Sequence, residues 1–599
     1  MKRIAWALLA ALLGGVLLTA CRATASDPAT PDPMFSLPLA DDGVIVPLTL
    51  DFPVGKNPFS IVFDGQDLWV ANFGDDTVSR LSRGGELLGT FPVGKRPRAL
   101  TFDGEAVWVA NMGEDTVTKL ATDGTALGTF DVGRQPFALV SDGEALWVAN
   151  WGDATVTKLT PGGTLLGVFA VGQRPRALAF DGDAIWVANE LDSTVTKLAL
   201  DGTLLGTFPV GDEPANLAVD DDVLWVAARK SLRKLSLRGE VQEVLLAYNW
   251  LESILVVDNV LWVGNAGNDT VMQLDSETGA VQARFATGSH LPYSLAFDGE
   301  SLWVALTGGG VVTKWDFSQG LDSKTYRTGN GPQPIAFDGQ RLWVANGLEN
   351  TVTRLGVDGQ PLGTFPVGNQ PRALALDGSH LWVANSGDNI VMKLSQEGQV
   401  LGAFPVGSGP RDIAFDGSHL WVANSGDNTV MKLSQEGQVL GTFPIEGAPA
   451  ALDVGTEGIW VALRDLDTVT KLSPTGQVLG SFSVGKDPAS LLFDGQHLWV
   501  GNAGDATVTK LDPHGNVLGN YFIGRRPRAL EFDGRNIWVA NRHIERVLGH
   551  AITKLSPDGD ILAIYRLNFN PVALVFDGKS IWISDTIGDS VVKLTPIKD

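Results

Sequence analysis

The residues best placed to hold a ligand in this chain are arginines that follow prolines. The segments "VGKRPRAL", "VGRQPFAL" and "VGQRPRAL" put Arg98, Phe137 and Arg176 directly after a proline, at intervals of 39 residues. The same post-proline position holds Phe59 and Tyr293 elsewhere in the N-terminal half, and Arg372, Arg411 and Arg528 in the C-terminal half. A second recurring position, directly after "AN", carries Phe73, Met112 and Trp151 early in the chain and Arg542, beside His543, late in it. A guanidinium offers a planar fork of donors that matches a carboxylate, sulfate or phosphate. Aromatic rings next to it add stacking and cation–π attraction. The chemistry these residue types imply is recognition of an anionic group.

Residues for catalysis are sparse. The seven histidines are His290, His380, His419, His497, His514, His543 and His550, with no metal-ligand spacing among them. No G-x-S-x-G nucleophile elbow is present. The many Asp-Gly pairs, such as Asp64-Gly65 and Asp377-Gly378, are hairpin-turn chemistry. None has the ligand density of an EF-hand loop. No cofactor is expected, with room left for a structural divalent cation. On these grounds the chain is expected to be a non-catalytic binder rather than an enzyme.

The elements that must position the arginines repeat. The motif L/I-W-V/I places Trp at 69, 108, 147, 186, 225, 262, 303, 343, 382, 421, 460, 499, 538 and 582. The mean spacing is about 39.5 residues, a period that signals a stacked or radial architecture. Each unit holds four apolar or β-branched runs of four to seven residues separated by Gly, Asp and Asn turns. Nothing between them is long enough for a crossover helix, so the strands are antiparallel. Four such strands in about forty residues make a propeller blade, and the Trp stripe is its core. The fold class expected is all-β, as tandem β-propellers of two seven-bladed rings, with a 6+8 division as the alternative. The segment "VPLTLDFPV" (46–54) reads as an orphan fourth strand that closes the first ring, and the last unit stops after its third strand, "SVVKLTP". The second ring would begin with its own fourth strand near Thr325 to Thr328. The domains expected are a signal peptide (1–20), a flexible tether (21–44), a first ring (45–318) and a second ring (319–599).

The amino terminus has a basic start, Met1-Lys2-Arg3, an apolar run from Ile4 to Leu18, and Leu18-Thr19-Ala20-Cys21. It resembles a bacterial lipoprotein signal peptide, which implies lipidation of Cys21, the chain's single cysteine. The expected location is outside the cytoplasm, anchored to a bacterial membrane through Cys21 only. With 45 Lys and Arg against 68 Asp and Glu, the net charge of −23 excludes a nucleic-acid partner.

"WVAN" followed by "TVTKL" resembles the motif of the YVTN-type seven-bladed propellers, and the unit is similar to virginiamycin B lyase-like propellers over residues 46–596. That resemblance implies a propeller fold and, in the lyase branch, a general-base histidine with acidic and metal-assisting partners at the mouth. Only His290 and the His543/His550 segment approach that side, and the lyase residues do not map onto this chain position by position. The expected function is an exported, lipid-anchored scaffold that binds a protein or an anionic glycan or small ligand of the cell envelope. Its site is the mouth of the first ring: Phe59, Phe73, Arg98, Met112, Phe137, Trp151, Arg176 and Tyr293. The second mouth, with Arg372, Arg411, Arg528, Arg542 and His543, is the subsidiary candidate. A lyase-like enzyme and a purely structural envelope protein are the alternatives.

Overall fold

The computed structural model describes residues 44–220, 222–245, 250–257, 259–287, 291–307, 310–523, 526–542, 550–567 and 569–597. Cys21, the tether, His290 and His543 lie outside the described residues. Among the described residues every regular element is a strand. Eleven separate four-stranded sheets and one eleven-stranded sheet account for all of them, in a tandem, propeller-like arrangement.

One sheet shows why the sequence folds this way. Its strands are Pro97–Phe102, Ala106–Asn111, Thr116–Ala121 and Ala126–Asp131, paired in sequence order by antiparallel hairpins. The second strand, "AVWVAN", is apolar on both faces and buried throughout. It is covered by sheets on either side, so it reads as a continuous run rather than an alternation. The fourth strand, "ALGTFD", is exposed at alternate and adjacent positions, which makes it the outer edge. Trp108 stands opposite Thr101 on one neighbour and Lys119 on the other.

Inner strands contact those of the next sheet along the chain, and each half returns to its own start. The strand Leu291–Phe297 packs beside Pro58–Phe63, and Pro571–Phe576 packs beside Pro332–Phe337. The cores follow the same rule: Trp303 sits with Ile61, Leu68 and Val70, and Trp582 sits with Leu342, Val344 and Leu355. The eleven-stranded sheet makes the joins. Its long strand Val311–Arg327 pairs through Val311–Asp316 with the N-terminal strand Val44–Pro53. Through Leu321–Arg327 it pairs with Ser590–Pro596. The first of these is the orphan strand read at 46–54, and the second half of the long strand covers the segment read as a new fourth strand.

A three-way latch repeats along the chain. In eleven units the Asp of the Asp-Gly turn accepts the indole Nε1–H of the Trp five residues on, for example Asp103 from Trp108 at 2.7 Å and Asp494 from Trp499 at 2.7 Å. Its other oxygen takes two backbone N–H groups of the turn, those of Gln496 and His497 in the case of Asp494. A lysine from the third strand lies over the same indole and donates to a carbonyl of the next sheet, as Lys510 does to Pro557 at 2.7 Å. The latch also closes each half: Lys314 reaches Arg83 O and Lys593 reaches Val357 O, both at 2.8 Å. The Asp-Gly turns are therefore more than turns. Three of the histidines, His380, His419 and His497, face these same aspartates and belong to the latch side.

Burial opposes ionisation of Asp494, but the indole and backbone donors outweigh it and hold the carboxyl below its ordinary range. Its contribution is complete above about pH 4 and is lost as pH falls further. Asp494→Asn must turn an NH₂ toward one of those donors and is expected to cost about 1–3 kcal/mol, read as a thermal midpoint lower by several degrees. Trp225 provides the contrast, because its buried Nε1 has no hydrogen-bond partner among the described residues. Trp225→Phe is expected to cost measurably less than Trp499→Phe in the same melting experiment.

Candidate functional site

The post-proline residues lie at one end of the inner strands because each of those strands begins with the same bulge. In the first sheet the register slips between Pro58 and Ser60, which turns Phe59 out of the ladder. The sheet that lacks the proline keeps this register, with Leu251 opposite Asn265 and a slip before Ser253, so Glu252 occupies the equivalent place. The residue after "AN" ends the neighbouring second strand. Two sets of side chains are thereby brought to one mouth in each half.

In the N-terminal half those side chains fill the mouth with one another. Phe59 packs edge-on against Phe73 and Tyr293, with ring centroids 4.9 and 4.8 Å apart. The Arg98 guanidinium lies between Phe59 and Phe137, 4.4 and 4.2 Å from their centroids. Trp151 stacks on Phe137 at 6.5 Å and donates to Glu190 at 3.2 Å. Arg176 is clamped between Glu190 and Glu252, at 2.5 and 2.6 Å. Met112, at the equivalent position after "AN", is half-buried. Enclosure by protein, then repulsion from Arg176, lowers Arg98 to about 10, so it is charged at neutral pH. Seven of the eight residues proposed from sequence are thus linked by direct contacts, and their recognition groups are engaged internally.

The C-terminal half is open. A cavity of about 640 Å³ is lined by Gln333, Arg372, Arg411, Arg528 and Arg542, with Ser386, Ser425, Ala450, Val572 and Thr586 as small or neutral neighbours. Among the described residues these four arginines form no ion pair, whereas Arg464 beside them is bound to Asp487. Arg372 donates to the Gln333 side chain, at 2.8 Å. Burial, then the positive charge of Arg464, Arg372 and Arg528, lowers the pKa of Arg411. Burial and then Arg542 and Arg464 do the same to Arg528. Guanidinium groups collected around an open volume repel one another, and although the Asp487 carboxylate acts on Arg411 and Arg528 it is outweighed by burial and the neighbouring arginines, a balance that an anion relieves.

Sequence reasoning missed the groups below this cavity. Asp412 follows Arg411 and accepts the backbone N–H of Ile413 and, across to the next sheet, of Leu452 at 2.7 Å. Asp453 accepts from Val454 and, across the next gap, from Phe493 at 2.6 Å. Glu531 accepts from Phe532 and Phe576 in the same manner. Each carboxylate bridges two inner strands. Burial pushes Asp412 up to about 6, Asp453 to about 7 and Glu531 to about 8. All three are largely, though not wholly, buried. The signal was present: Asp412 stands where neighbouring units have Ala373 and Ala451, and Asp453 where they have Ala414 and Leu492.

No protein-family model and no curated protein matches the chain. Among solved structures, virginiamycin B lyase from Staphylococcus aureus aligns at 16% identity and a TM-score of 0.41, over 46% of this chain and all of that one. A catalytically inactive form of that lyase with quinupristin aligns at 17% and 0.41, with the same coverage. A streptogramin B lyase structure aligns at 17% and 0.41, over 45% of this chain and 97% of that one. These are distant matches in fold. All three are lyases, and the expectation that the chain is not an enzyme is withdrawn on that finding. The physical reason lies in its premise: a missing nucleophile elbow and missing histidine cluster exclude particular chemistries, whereas proton transfer needs only a carboxyl group of suitable pKa.

Arg176→Met removes the cation paired with Glu190 and Glu252, leaving only the more distant charge of Arg98, and is expected to destabilise by about 3 kcal/mol. Arg528→Gln removes like-charge repulsion and is expected to stabilise by about 0.5–1 kcal/mol. Thermal melting of the two variants checks both signs; a loss of stability in Arg528→Gln removes the case for an uncompensated cluster.

Proposed function

We propose that the chain forms two seven-bladed propellers sharing the strand Val311–Arg327, and that the mouth of the second binds an anionic ligand. The first ring spans 45–318 and the second 319–599. The single observation that carries the reading is the open cavity in which Arg372, Arg411, Arg528 and Arg542 converge, none of them in an ion pair among the described residues. Planar, bidentate donors around about 640 Å³ suit a glycan acid or a small molecule bearing two or more carboxylates, sulfates or phosphates. The first mouth, filled by its own aromatic rings and the Arg176 clamp, is a rigid face for a partner rather than a cavity for a ligand. The leader-like terminus and Cys21 favour an exported, lipid-anchored protein with its ligand in the cell envelope.

Titration calorimetry with citrate, sulfate and an oligogalacturonate is the direct test. Binding is expected to weaken at least about tenfold in Arg411→Gln and in Arg528→Gln, and to fall steeply with added salt. Equal affinity in wild type and both variants refutes the assignment. A lyase-like activity on the bound anion is the second reading, favoured by the three carboxyl groups near neutrality below the arginines. Elimination from an acidic glycan gives an ultraviolet-absorbing unsaturated product, and its absence with a ligand that binds counts against this reading.

A further inference from the structure

We propose that filling the arginine cavity with an anion is coupled to uptake of protons by Asp412, Asp453 and Glu531, the carboxyl groups on the inner strands beneath it. The inference rests on the anion reading above and adds its regulation.

The inner strands carry the charges in two tiers. Arg411 lines the cavity and Asp412 is the next residue down the same strand. Arg528 lines it and Glu531 lies three residues down, which is about 10 Å of extended chain. Asp453 lies three residues below the cavity-lining Ala450. The three acids act on one another in sequence, Asp412 on Asp453 and Asp453 on Glu531. Few other charges reach them. Of the inner strands packed alongside, Pro371–Leu376 brings Arg372, while Pro488–Phe493 and Pro571–Phe576 bring no charged residue. The strand Arg526–Phe532 adds Arg526 and Arg528. The second strands add His380, Arg542 and Asp585 at their ends, and Lys510 from Thr507–Leu511 is committed to Pro557 O on the latch side. Arg411 is the cation that acts on Asp412, and no cation acts on the other two strongly enough to offset burial.

The sign follows from the same balance. These carboxyl groups are raised, so the lower tier is neutral when they are protonated and carries three negative charges when they are not. An anion above them favours the protonated state, so binding takes up protons in the window from about 6 to 8 in which they titrate. Affinity therefore falls as pH rises.

The test uses sulfate and a benzene disulfonate, whose own charges are constant over the range. Wild-type affinity is expected to be at least about tenfold weaker at about pH 9 than at about pH 5. Calorimetry at about pH 7 in two buffers of different ionisation enthalpy is expected to report net proton uptake on binding. The triple variant Asp412→Asn, Asp453→Asn, Glu531→Gln is expected to bind with little pH dependence. Should it fail to fold, the two-buffer experiment on wild type decides alone. Sulfate binding with a flat pH profile and no proton uptake overturns the coupling and leaves the anion site standing. No binding at any pH, in a protein that melts cooperatively, overturns both.

Discussion

A single carboxylate that must satisfy a turn, an indole and a lysine together sets most of this structure. In the repeated latch, Asp103 and its equivalents hold the backbone of the first hairpin with one oxygen and the indole N–H with the other. The lysine that shields the pair spends its remaining donor on the neighbouring sheet. Removing any one group leaves another buried polar atom unpaired, and the cost of such an orphan exceeds the gain of an average hydrogen bond. This explains why Trp, Asp, Gly and Lys recur in fixed register while other positions drift. Stability per sheet is local, but half of each latch belongs to the neighbour, so the sheets hold as a series.

The positions outside the latch are the ones free to carry function. The residue at the bulge contributes nothing to the ladder, and it is Phe59, Arg98, Glu252, Arg372 or Ala450 in different units. Two chemically opposite mouths are built on one backbone in this way. In the N-terminal half the acids Glu190 and Glu252 are supplied along with the arginines, and the charges cancel at short range. In the C-terminal half the arginines are kept at the rim while the acids Asp412, Asp453 and Glu531 are displaced down the strands, where backbone N–H groups occupy them. Separation by depth is what leaves the guanidinium donors uncommitted.

The fold was legible because every unit repeats the same strand grammar, and the ends of the chain supplied the pairing between first and last strands. Burial of the fourteen motif tryptophans, the bulged inner strands and the two roles of the Val311–Arg327 region all follow from that pattern. The candidate site was legible only as a set of positions. Which mouth is open depends on whether neighbouring side chains pair, and sequence period places Arg98 and Arg411 identically. The acids beneath the cavity were hidden for a related reason: in a repeat, the eye reads what recurs, whereas Asp412, Asp453 and Glu531 are departures from recurring Ala, Ser and Leu positions. Departures at inner-strand positions are the better signal for chemistry in such a chain.

The join between the halves repeats this logic at a larger scale. Arg566 is buried, yet it gives two donors to Asp51 at 2.8 and 2.6 Å and a third to Thr287 O at 2.6 Å. Leu48 pairs with Tyr565 in the same place, and Leu321 joins the core of the last two sheets. The N-terminal strand therefore serves both halves: its residues Leu48–Pro53 complete one sheet, and its side chains bind the other half. A strand that must be present for closure of the first series and for the buried charge of the second couples their integrity. Loss of the strand exposes an edge and strands a guanidinium together. The two mouths are thereby held on one continuous framework, in which ligand chemistry varies only at positions that carry no part of the framework's own bonds.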